Sequence, residues 1–130
     1  MNTAMHALDT ALSSADPTTV LAGAWEALDL GGQVADAVTW DESSDELCAL
    51  TAAQECLAAR TLLPLPETGR PITLEAGDIQ PGPGGLAPYA ALLDRARQAL
   101  ASLAEQDVQL RDAAEHAAAA ARSLAAVRGQ

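Results

Sequence analysis

At 130 residues the chain is one domain's worth, long enough to bury a core without metal or disulfide staples. Its hydrophobic share of 49% is largely alanine, about a quarter of all residues, with no phenylalanine and only Trp25, Trp40 and Tyr89 as aromatics. Such a core is thin, and its elements must lie close together. The net charge of −11 counts against direct binding to a phosphate backbone, which needs a basic stripe, and no run approaches a membrane span.

The charge is uneven. Residues 1–59 carry ten acids and no lysine or arginine, whereas residues 60–130 carry eight acids and seven arginines. The first half is therefore an acidic exterior, which serves solubility or faces something basic, either a partner or the chain's own C-terminal part. Lysine is absent, which together with the alanine excess points to a GC-rich bacterial genome.

In chain order, Met1, Met5, Leu8, Leu12 and Ala15 fall on one helical face and predict a first helix over 2–15. Asp16-Pro17 ends it and starts a second, because aspartate is a good N-cap and proline fits the first helical position. Val20, Leu21, Ala24, Trp25 and Leu28 share the next apolar face, up to Gly31-Gly32. Two adjacent glycines either end a helix or let backbones approach, and a stop or sharp kink is expected here. Gln33 to Trp40 is read as a short further helix.

Ser43 and Glu46 have the spacing of a capping box, predicting a helix over about 44–63 with Leu47, Leu50, Thr51, Gln54, Leu57, Ala58, Thr61 and Leu62 along one side, an apolar stripe interrupted by Thr51, Gln54 and Thr61. Polar Thr51 and Gln54 in that stripe, with Trp25 and Trp40, are the candidate lining of a small-ligand pocket. Cys48 and Cys56 are too far apart along this helix to pair within it and are expected as reduced thiols in a cytoplasmic core. The start of the chain lacks the basic residues and apolar run of a signal peptide, so cytoplasm is the expected compartment.

From 64 to 87 prolines and glycines break every pattern, giving a long Pro/Gly-rich connection. Then Tyr89, Ala96, Leu103, Leu110, Ala117 and Leu124 recur every seven residues and predict one long helix over 88–128, about 60 Å if unbroken. Its flank turns polar at Gln106-Asp107, where it is expected to bend or change neighbours. The alanine-rich second half, with Leu110, Ala114, Ala117, Ala121 and Leu124, is the expected contact surface for another chain.

Three short motifs bear on function. Leu65-Pro66-Glu67-Thr68-Gly69 resembles the sortase sorting signal of Gram-positive surface proteins, but roughly sixty residues of helical pattern follow it in place of an apolar span and basic tail. Trp25-Glu26-Ala27 is similar to the Trp-x-Gly turn of small secreted helical hairpins but lacks the glycine, so both tryptophans are assigned to the core. Arg111-Asp112-Ala113-Ala114-Glu115-His116 resembles the arginine–histidine spacing of HEPN ribonucleases, all-helical domains whose matching residues act on RNA at a dimer interface. That resemblance implies catalysis by Arg111 and His116. Five residues apart is about 140° around a helix, however, so the two converge only with a partner's help. The competing reading pairs Arg111 with Asp107 or Glu115 and leaves His116 on a flank. His6, His116, Cys48 and Cys56 have no metal-ligand spacing, and no phosphate-binding loop, dinucleotide fingerprint or nucleophile elbow is present.

The expectation is an all-α single domain spanning 1–130, a four- or five-helix antiparallel bundle: acidic helices over 2–63, the connection over 64–87, and the long C-terminal helix over 88–128. The leading functional expectation is a non-enzymatic interaction or scaffold protein that binds another protein or a second copy of itself, with no cofactor and no metal. A small-ligand-binding module and a HEPN-like ribonuclease are the alternatives.

Overall fold

The computed structural model describes residues 3–39, 46–63, 86–105 and 108–126. They form five helices: α1 (Thr3–Leu12), α2 (Pro17–Thr39), α3 (Glu46–Thr61), α4 (Ala87–Leu103) and α5 (Val108–Ala126). No strand occurs among the described residues. Helices α2, α3, α5 and α4 close a ring in which each packs on the next, and α1 lies against α2 and α4. Helices α3 and α4 therefore occupy a diagonal of that ring. Residues 64–85 and Trp40 to Asp45, including Ser43 of the expected capping box, lie outside the described residues.

The first junction forms as its residues dictate. Past Leu12 the Ser13 hydroxyl donates back to the Asp9 carbonyl at 3.0 Å and closes α1. The Asp16 carboxylate then accepts the Thr18 amide at 3.3 Å and the Thr19 hydroxyl at 2.8 Å, with Pro17 as the first residue of α2. Helix α1 ends earlier than predicted, and Ala15 lies exposed beyond it. Leu8 and Leu12 are buried, and an ion pair between Asp9 and Arg95 at 2.6 Å ties α1 to α4.

Gly31-Gly32 does not stop or break α2, which runs unbroken to Thr39. A Cβ on Gly31 would sit 2.7 Å from Leu93 Cδ2 and 3.2 Å from Cys56 Sγ, so the glycine marks the point where α2, α3 and α4 crowd together. Packing gained there outweighs the helix propensity that glycine forfeits.

The expected long C-terminal helix is two helices. Helix α4 ends at Leu103, the chain turns through Ala104 and Glu105, and α5 begins at Val108 and packs back along α4. Gln106-Asp107, where a bend was expected, lie outside the described residues. Folded back, both halves of the seven-residue row can face one core: Tyr89, Ala96, Leu110, Ala117 and Leu124 are all buried. A straight helix of this length would leave one half of that row without cover in a chain this short.

The core is thin, as composition requires. Leu28, Leu92, Leu93, Leu100, Leu124 and Val34 are its largest fully buried apolar side chains, and alanines of every ring helix fill the space between them. Cys56 lies within it, and burial pushes its thiol up to about 12, whereas Cys48 is half-buried. We expect alkylation of the native protein at pH 8 to modify Cys48 and to reach Cys56 only on unfolding, as read by intact-mass analysis with and without urea. Equal labelling of both thiols in the native state would place Cys56 outside the core.

Candidate functional site

Helix α3 turns the opposite way from its sequence expectation. Ala49, Ala52, Cys56, Ala59 and Leu63 point into the bundle, whereas Leu47, Leu50 and Leu57 are 73%, 41% and 53% exposed. The inner row is itself spaced at three and four residues, so two faces of α3 were eligible for the core. The small one is chosen because α3 packs against α2 and α5 at glycine and alanine positions. Three leucines are left on one outward face, interleaved with Gln54 and Thr61.

The polar residues of this face do not build a pocket. The Thr51 and Thr61 hydroxyls donate to the Leu47 and Leu57 carbonyls of the same helix, at 2.9 and 2.8 Å, and Gln54 is exposed. The expected grouping of Trp25, Trp40, Thr51 and Gln54 is therefore not assembled among the described residues, and Trp40 lies outside them.

Trp25 packs against the edge of the core rather than within it. Half-buried on α2, it forms one wall of an open depression of about 430 Å³ with Leu57, Arg60, Thr61 and Leu63. The Arg60 guanidinium stands 5.2 Å from the centre of the Trp25 ring and pairs with Asp29, which also accepts a hydrogen bond from Gln33 at 3.2 Å. Beside them the Glu26 carboxyl is raised above its usual range, first by partial burial and second by repulsion from Asp29. Leu57 belongs both to this depression and to the leucine face, so the two form one surface.

The other margin of α3 is closed by Glu55, whose Oε2 lies 2.6 Å from Nδ1 of His116 on α5. That contact accounts for His116 as a link between helices. Arg111 is exposed on another side of α5 and helps line a shallow depression of about 320 Å³ between α4 and α5, together with Arg97, Glu105 and Glu115. Within the chain Arg111 and His116 do not converge, and the expected Arg111–Glu115 ion pair is not among the described ones. Two arginines and two glutamates over an alanine floor favour neither anions nor cations in that depression.

Leu110, Ala114, Ala117, Ala121 and Leu124, the expected contact surface for a second chain, are all buried within this one, packed in the core with α2, α3 and α4. Sequence reading missed Leu47, Leu50 and Leu57 as surface residues because leucine outranks alanine in any apolar face. The available signal was the competing row at 49, 52, 56, 59 and 63.

Among the described residues, no three histidine, cysteine, aspartate or glutamate side chains converge as metal ligands, and no helix is long and apolar enough to cross a membrane. No protein-family model, curated protein or solved structure matches the chain.

Proposed function

We propose that this protein is a non-enzymatic interaction module: a small helical bundle that presents the leucine face of α3, with the adjoining Trp25 depression, to another protein. The observation that supports the reading is the outward placement of Leu47, Leu50 and Leu57 beside a bundle core built without them. Contiguous apolar surface rimmed by polar groups marks association sites, and tryptophan, arginine and leucine around a shallow depression supply anchors of the kind interfaces use. A partner covering these leucines would recover the unspent part of the roughly 1.5–3 kcal/mol that full burial of each contributes.

The double variant Leu50→Gln/Leu57→Gln tests this. Its thermal unfolding should stay within about 0.5 kcal/mol of the parent per substitution, since neither side chain packs in the core. A photo-crosslinking side chain at Gln54, in the middle of the face, should form a discrete protein adduct in the native host that the double variant loses. The same group at exposed Ser102 on α4 should form none. A double variant that unfolds, or adducts at Ser102 equal to those at Gln54, would overturn the reading.

A further inference from the structure

We infer that the partner of this face is an amphipathic helix whose apolar stripe is flanked by arginine or lysine, and not a second copy of this chain. The inference rests on the interaction reading above and names the chemistry of the occupant. Leu47 to Leu57 spans eleven residues of helix, ten steps or about 15 Å, and lies on a convex helix surface beside the Trp25 depression. A helix laid along such a row packs by ridges into grooves, with apolar residues at three- and four-residue steps.

Charge selects among helices. From Trp25 to Arg60 the sequence holds eight acids, Glu26, Asp29, Asp36, Asp41, Glu42, Asp45, Glu46 and Glu55, against the single arginine Arg60. Arg60 is already committed to Asp29 and to the Trp25 ring. Glu55 is within hydrogen-bonding distance of His116, at 2.6 Å. Glu26 has no such partner among the described residues, and its carboxyl is raised by burial and by Asp29 rather than relieved by a base. A basic residue reaching the α2 surface next to Trp25 would meet a carboxylate that no base of the described residues answers. Two copies joined through this face would instead oppose two α2–α3 pairs, each carrying among its described side chains the four acids Glu26, Asp29, Asp36 and Glu55 against the one arginine Arg60. Like charges across an interface act against association, so the same residues that invite a basic helix repel a second copy.

The test is a display library of 18-residue helices with a fixed leucine and alanine stripe. Positions flanking the stripe are randomised among Arg, Lys, Gln and Glu, and the library is selected on the immobilised full-length protein. Helices that also bind the Leu50→Gln/Leu57→Gln variant are removed; that variant keeps every charge, so the removal discards purely electrostatic binders. Arg and Lys should be enriched over Glu at the flanks, and the selected helices should bind the variant about tenfold or more weakly. Glu26→Gln should weaken those with a base near Trp25 while leaving Gln-flanked helices unaffected. Selection of Gln- or Glu-flanked helices would overturn the charge inference and leave the interaction reading standing. So would light scattering that shows a dimer lost on Leu57→Gln. If no helix survives the counter-selection and the protein is a monomer, the interaction reading itself falls.

Discussion

Replacing Leu124 with aspartate should abolish the cooperative thermal transition of this protein. Leu124 is fully buried in α5, on the face that packs against the rest of the ring. The substitution removes the packing of a whole leucine side chain, which by itself costs about 2–5 kcal/mol as Leu→Ala. It also places a carboxyl where nothing apolar can pair with it, so the group must either stay protonated or carry a further penalty of several kcal/mol. Together these rival the whole 5–15 kcal/mol that typically holds a domain folded. Leu124→Ala should show a lowered but still cooperative transition, which grades the effect. Circular dichroism against temperature reads both variants. The result separates two architectures: had α5 presented Leu124 to a second chain, the aspartate variant would be a well-folded monomer with an unchanged melting temperature.

The second large effect is a reversal of sign at Gly31. In the parent, Gly31→Ala gains about 1 kcal/mol of helix propensity but forces a methyl to within 2.7 Å of Leu93 Cδ2 and 3.2 Å of Cys56 Sγ. Leu93 and Cys56 are both buried, so neither side chain can swing away, and overpacking of this kind costs about 1–3 kcal/mol. The net result should be a modest loss, and Gly31→Leu should lose at least about 3 kcal/mol. Leu93→Ala alone should cost about 3 kcal/mol through the cavity it leaves. In that background the added methyl has room, and Gly31→Ala should become stabilising. Urea unfolding of the four members of this cycle gives the coupling directly, and additive effects would show that the glycine is not held by Leu93.

These two experiments bear on the features that local reading of the chain placed incorrectly. The helix starts and stops that depend on neighbouring residues were legible: Asp16-Pro17 caps α2 through its own carboxylate, and prolines and glycines mark the connection after α3. The all-helical class was equally legible, because apolar residues recur at helical steps throughout, whereas the number of helices agrees only because the union of two expected helices in α2 offsets the division of the long one into α4 and α5. Gly31-Gly32 was ambiguous, since a glycine pair reads alike whether it ends a helix or admits a neighbour; only Leu93 and Cys56, from other helices, decide between them.

The candidate site was hidden for a related reason. In α3 the leucine row and the alanine row have equally good spacing, and transfer free energy alone assigns the leucines to the core. What the bundle demands is closeness: α3 must approach the glycine of α2 and the alanines of α5, and a small inner face allows it where leucines would hold the helices apart. The row from Tyr89 to Leu124 gives the complementary case. Its seven-residue repeat shows which side chains share a face, but not whether one helix or two carry that face, because the repeat is indifferent to a turn at Glu105. Local chemistry alone determined that this chain is helical, acidic, alanine-rich and capped where it is. The tertiary structure decided which faces meet, since that depends on how closely helices distant in sequence can approach, and it thereby put three leucines outside and the expected contact surface inside.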